Sequence, residues 1–179
     1  IDGVRERVDG IEVLRSCEVD ILADGSLDMP DDVLGELDIV VVSVHSYMEM
    51  PEDEMTERVL KALEHPAVDV LAHPTGRILN RRKPYALDVD AVLQAAREVD
   101  VAVELNADPN RLDLNDVHVR RAKELGVKVV VSTDAHSTRG LESMRFGVDQ
   151  ARRGWLGPDD VLNCLPLDEL RAWLRRRRT

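Results

Sequence analysis

The sequence predicts an α/β fold built on a parallel sheet, and three observations lead to that class. Short runs of valine, isoleucine and leucine recur at 13–18, 39–45, 68–73, 101–104 and 128–136, the texture of strands buried on both faces. Amphipathic helical stretches separate consecutive runs, as βα crossovers require. Each run also ends on or beside a carboxylate or an imidazole: Glu18, His45, His73, Glu104, Asp134 and His136. The C-terminal strand ends of a barrel or open α/β sheet share one face, so these side chains are set to converge there.

Taken in order, residues 1–9 read as the end of a helix, with Gly10 in the left-handed position past it. After the first strand, Asp24-Gly25 and Pro30 mark turns, and DDVLGEL forms a short helix leading to the strand at 38–44. Pro51 opens a helix to about residue 64, with Glu52, Asp53 and Glu54 in its first turn, where the helix dipole favours acids. Its buried stripe is Val59, Leu60 and Leu63. The polar segment 73–88 is a long loop of the kind that often carries function. Helix 89–100, strand 101–106, the loop ADPNRLDL and helix 115–125 follow, closed by Gly126. Beyond the strand that runs into STDAHST, a helix spans about 139–153, and Pro158 and Pro166 each start a further short helix.

A chain of 179 residues suits one well-buried domain, and residues 1–179 are read as a single unit with no linker or repeat. No apolar run approaches the roughly 20 residues that span a bilayer, and no signal segment opens the chain. The expectation is therefore no membrane partner and a cytoplasmic location. Cys17 and Cys164 have neither a disulfide framework nor a CxxC metal spacing, and are expected to be core thiols. The net charge of −11 argues against holding nucleic acid by bulk electrostatics. Residues 166–179 carry +3, through Arg171, Arg175, Arg176, Arg177 and Arg178 against Asp168 and Glu169, which leaves −14 on the rest. A solvated helix end accounts for that basic run.

Imidazole and carboxylate together suit manganese, zinc or iron, whereas magnesium and calcium prefer all-oxygen shells. Glu18, His45, His73, Asp134 and His136 are the candidate ligands of a multinuclear centre. Two ions about 3.5–4 Å apart would hold a phosphoryl oxygen and lower the pKa of a bound water, which is phosphoester hydrolysis without a protein nucleophile. Any one of the histidines alone is more simply a hydrogen-bonded rim residue; five groups at equivalent strand ends are the stronger signal. Glu104 ranks below them, as a supporting or paired structural carboxylate. Arg77 and Arg111, in polar loops after strand ends, are candidates for phosphate binding, with salt bridges as the plain alternative. His65 at a helix end and His118 on a solvated helix face fall outside the set.

The segments EVDILADGSLD, SVHS, AHPTGR, ELNADPNRLDL and STDAHS, followed by MRFGVDQARRGWL, resemble the polymerase and histidinol phosphatase domain. The resemblance is to the version fused C-terminally to bacterial and archaeal family-X DNA polymerases, and it covers nearly the whole chain in order. It implies a distorted barrel of seven βα units with up to three metal ions on the C-terminal face of the strands. It implies that Glu18 bridges two ions, His45 and His73 bind one of them, Asp134 binds the other and His136 the third, with Glu18 and Asp134 counted as catalytic. The activity implied is manganese-dependent 3′-to-5′ exonuclease or related 3′-end phosphoesterase chemistry, through metal-bound hydroxide. DNA 3′ ends and a polymerase module are then the implied partners. A His-x-His strand and two further histidine ligands are expected before Glu18, yet the seventeen residues there contain no histidine. The chain is thus expected to be the C-terminal part of the barrel, lacking its first strands, and to self-associate or pair with a complementary segment. The alternatives are a free-standing small-molecule phosphatase and a non-catalytic scaffold.

Overall fold

In the computed structural model, which describes residues 1–177, five strands form one sheet: β1 (Ser16–Asp20), β2 (Ile39–Ser43), β3 (Val70–Leu71), β4 (Ala102–Asn106) and β5 (Val129–Ser132). Their spatial order is β1-β2-β3-β4-β5, and every neighbouring pair is parallel. A parallel sheet whose strands pair in chain order, with a helical crossover between them, is the arrangement of a βα barrel segment.

The helices are α1 (Asp2–Arg5), α2 (Asp31–Leu34), α3 (Glu52–Glu64), α4 (Val89–Glu98), α5 (Asp116–Leu125), α6 (Met144–Arg153) and α7 (Leu167–Arg175). Their ends obey local chemistry. Asp88 accepts from the Ala91 amide and Asn115 from the His118 amide, satisfying first-turn donors of α4 and α5, and Gly126 closes α5 in the left-handed conformation at φ 74°. Crossover helices bury one face on the sheet: α3 contributes Met55, Val59, Ala62 and Leu63, and α4 contributes Val92, Leu93 and Ala96. These meet Val40, Val42, Val103, Leu105 and Val129, all fully buried. Each valine, leucine or methionine among them adds about 1.5–3 kcal/mol over its exposed state.

The segment expected as one helix from 139 divides into a 3-10 stretch, Thr138–Ser143, and α6. Helix α1 ends at Arg5, so Gly10, at φ 79°, follows an irregular stretch instead of a cap. Cys164 is exposed, not a core thiol, and His118 is half-buried instead of solvated. Arg178 lies outside the described residues. Among the described residues no helix is long and apolar enough to cross a membrane.

One buried cation organises the loops above the sheet. Arg58 of α3 is only 2% exposed and donates to the carbonyls of Ile21 and Leu22 (2.8 Å to the latter) and of Ser46 (2.9 Å). It therefore ties the segment after β1 to the segment after β2, where the candidate ligands sit. Desolvation lowers its pKa, and three carbonyl acceptors make its burial tolerable.

Candidate metal centre

Three candidates stand two residues past the end of their strands: His45 after β2, His73 after β3 and Asp134 after β5. Glu18 projects from within β1 itself. The adjacency of β1, β2 and β3 brings the first set together. His73 Nε2 lies 3.0 Å from Glu18 Oε1 and His45 Nε2 lies 3.5 Å from the same oxygen. One donor atom from each of the three residues falls within 4.8 Å of the other two. The imidazole centroids are 5.3 Å apart. His73 is buried, whereas Glu18 and His45 are open to solvent.

Each member of the triad is held from behind. Asp20, the last residue of β1, accepts from His45 Nδ1 at 2.6 Å, which leaves Nε2 as the free lone pair facing Glu18. The His73 amide donates to Glu104 Oε2 at 2.6 Å. Hydrogen bonding from His73 pulls the Glu18 pKa down to about 2, against the opposing effect of burial, so Glu18 stays ionised at any working pH. Burial alone would lower the His73 pKa; the hydrogen bond to Glu18 and the charge of Glu104 outweigh it, and the net direction is upward. The backbone of His73 has φ 24°, and that of Asp134 has φ 51°, both outside the regions that side-chain-bearing residues favour. Such conformations cost about 1–3 kcal/mol each and persist where surroundings over-determine them.

Glu104 is the keystone beneath the centre. It is 6% exposed and accepts from the His73 amide, from Asn106 Nδ2 at 3.3 Å and from the Ser132 hydroxyl. Asn106 Nδ2 also lies 3.2 Å from Asp134 Oδ2, so one amide links the end of β4 to the residue beyond β5. Burial raises the Glu104 pKa, in spite of the hydrogen bonds from Ser132, His73 and Asn106.

Asp134 and His136 stand outside the triad. Asp134 pairs with Arg111 Nε at 3.4 Å, while His136, with its side chain 88% exposed, turns its Nδ1 to the Asp134 carbonyl at 2.8 Å. Arg111 Nη1 is buried without a hydrogen-bond partner, beside Asp134. Arg77 donates to the carbonyls of Arg111 (2.9 Å) and Leu112, so its guanidinium fastens the loop after β4. The supporting residues Asp20, Ser43, whose hydroxyl lies 3.3 Å from His45 Nδ1, Asn106 and Ser132 escape sequence reading, because a single polar residue at the end of an apolar strand carries no distinctive spacing. The one available signal was that all four stand at the ends of strands.

The donor set fits a transition ion. One anionic carboxylate and two imidazoles, one of them fixed in its tautomer by Asp20, offer nitrogen and oxygen ligands of the kind manganese, zinc and iron accept.

No protein-family model matches the chain. It is 44% identical over 98% of its length to the DNA polymerase/3′-5′ exonuclease PolX of Bacillus subtilis, of which it spans 31%. It is 31% identical to a probable phosphatase of Caldanaerobacter subterraneus, covering 70% of that protein, and 29% identical to one of Thermoanaerobacter, covering 72%. The chain belongs to the polymerase and histidinol phosphatase family. As a member of that family it places Glu18, His45 and His73 on three consecutive strands of the parallel sheet. The chain spans about a third of the length of the polymerase it matches.

Proposed function

We propose that the chain forms the C-terminal part of the phosphoesterase domain of a bacterial-type family-X DNA polymerase, a domain that in its complete form hydrolyses phosphodiesters or phosphomonoesters at DNA 3′ ends with manganese, zinc or iron. The observation that carries the reading is the convergence of Glu18, His45 and His73 to within 4.8 Å at the strand ends. A bound divalent ion supplies Lewis acidity and makes water a stronger nucleophile at neutral pH. The chain's own residues do the rest. Glu18, His45 and His73 hold the ion, Asp20 orients His45, and Glu104 fixes the backbone of His73. Asp134 extends the centre toward further ions, and Arg111, whose Nη1 has no partner, offers a guanidinium to a phosphate oxygen. His136, exposed on the same turn, would ligate an ion at the outer rim. A polymerase module and DNA are the partners under this reading.

The net charge of −11 favours a second reading, a phosphatase acting on small monoesters, as the names of the Caldanaerobacter and Thermoanaerobacter relatives suggest. Turnover on a single-stranded oligonucleotide and phosphate release from a small monoester, measured side by side with manganese supplied, separate the two. Loss of both metal retention and hydrolysis in Glu18→Gln, with the fold intact, is the expected outcome. Hydrolysis that survives Glu18→Gln would overturn the site.

A further inference from the structure

We infer that the loop at 77–84 is the docking surface for the phosphodiester backbone of a single-stranded DNA substrate, with Arg81 and Lys83 as its contacts. The inference rests on the nucleic-acid reading above and adds a surface to it. Residues 70–87 contain Arg77, Arg81, Arg82 and Lys83 and no acidic residue, in a chain whose net charge is −11. Arg77 is spent on the carbonyls of Arg111 and Leu112, and Arg82 Nε on the carbonyl of Gly76 at 2.8 Å. Arg81 and Lys83 are exposed, and among the described residues neither makes an ion pair.

The loop is also built to hold its shape. Ile78 and Arg82 exchange backbone hydrogen bonds at 2.9 and 2.8 Å, and the Leu79 amide donates to the Asn110 carbonyl at 2.6 Å, fastening the loop to the one after β4. Tyr85 is buried, with its hydroxyl on the Pro74 carbonyl at 2.6 Å. Gly76, at φ 61°, lies so close to the Tyr85 ring that a Cβ there would sit 2.5 Å from it. The loop begins four residues after His73 and is fastened to the segment that holds Arg111, so it leaves the same C-terminal edge of the sheet as the triad. A groove of about 460 Å³ runs along it between Arg77 and Pro84. A rigid cationic rim beside a metal centre suits a strand whose terminal phosphate enters the centre and whose next phosphates lie along the rim.

The test is fluorescence anisotropy of a labelled single-stranded oligonucleotide titrated with the chain across a salt series, in Arg81→Ala/Lys83→Ala and in Arg152→Ala/Arg175→Ala. The second pair removes the same charge from exposed arginines elsewhere. Loss of two phosphate contacts should weaken binding about tenfold at roughly 50 mM salt and flatten the log–log salt slope by about 1.4. The control pair should change neither. If both variants weaken alike, or the loop variant keeps its slope, the loop is not the docking surface, while the nucleic-acid reading stands. A chain that releases phosphate from small monoesters but binds no oligonucleotide ends that reading and the loop assignment together.

Discussion

Removing the Glu104 carboxylate should cost more than any other single truncation near the centre. In Glu104→Ala the His73 amide, the Asn106 amide and the Ser132 hydroxyl all lose an acceptor at a position only 6% exposed. A buried donor left unsatisfied costs about 1–3 kcal/mol, and water entering the vacated space recovers part of that, so the total should be about 3–4 kcal/mol. With a urea slope of roughly 2 kcal/mol/M the midpoint should fall by roughly 1.5–2 M. Glu104→Gln keeps one acceptor oxygen and should lose about half as much. The sign of the pH dependence follows from the upward shift that burial imposes on Glu104. A raised folded-state pKa means the native protein binds the proton more tightly than the unfolded chain. The contribution of Glu104 is therefore complete below about pH 4.3 and shrinks as pH climbs through the raised value, a slope that Glu104→Gln removes. Equilibrium urea denaturation followed by circular dichroism at several pH values reads all of this. A midpoint shift under about 0.3 M for Glu104→Ala, or equal shifts for the two variants, would refute the reasoning.

Three further outcomes follow from contacts described above. Asp20→Ala frees the His45 tautomer and should weaken manganese or zinc binding about tenfold by isothermal titration calorimetry with the fold unchanged; unaltered affinity would remove Asp20 from the site. Because the His73 pKa is shifted upward, its ring must lose a proton before ligating, so metal affinity should climb as pH rises past about 6.5, with Glu18, at about 2, adding nothing to that slope. Flat affinity from about pH 5.5 to about pH 8 would contradict this. In Gly147→Ala the new Cβ would lie 2.5 Å from Val131 Cγ1 and 2.7 Å from Ala107 Cβ, which should lower Tm by roughly 4–8 °C for a strain of about 2 kcal/mol; an unchanged Tm would show that α6 shifts freely on the sheet.

The strands were legible because a parallel sheet covered on both faces needs long apolar runs, and those of β2 and β5 are hard to read otherwise. The residues Glu18, His45 and His73 were legible for the complementary reason: each interrupts or follows a strand-forming run with a carboxylate or imidazole, and His73 does so in a buried position. Their convergence on one face was expected as well, but which of the candidates meet was not, since that depends on which strands are neighbours and on a left-handed turn at His73 that no propensity favours. Arg77 shows the limit from the other side. As a cation in a loop beside a strand end it looked available for phosphate, whereas the carbonyls it satisfies become visible only when the loops after β3 and β4 are folded against each other. Asp20 and Asn106 went unread because a polar residue closing a strand is equally at home in a solvated turn.

The chain-order sheet divides labour between its two halves. Donor atoms come from β1, β2 and β3, whereas Arg111, Asp134 and the bracing amide of Asn106 belong to the ends of β4 and β5. Under the proposed function, ion capture falls to the first three βα units and the phosphate contact of Arg111 to the fourth, joined chiefly through Glu104. A lineage with this layout can exchange the loops after β4 and β5 to meet new phosphoesters while the ion stays where it was, provided the carboxylate between the two halves is kept.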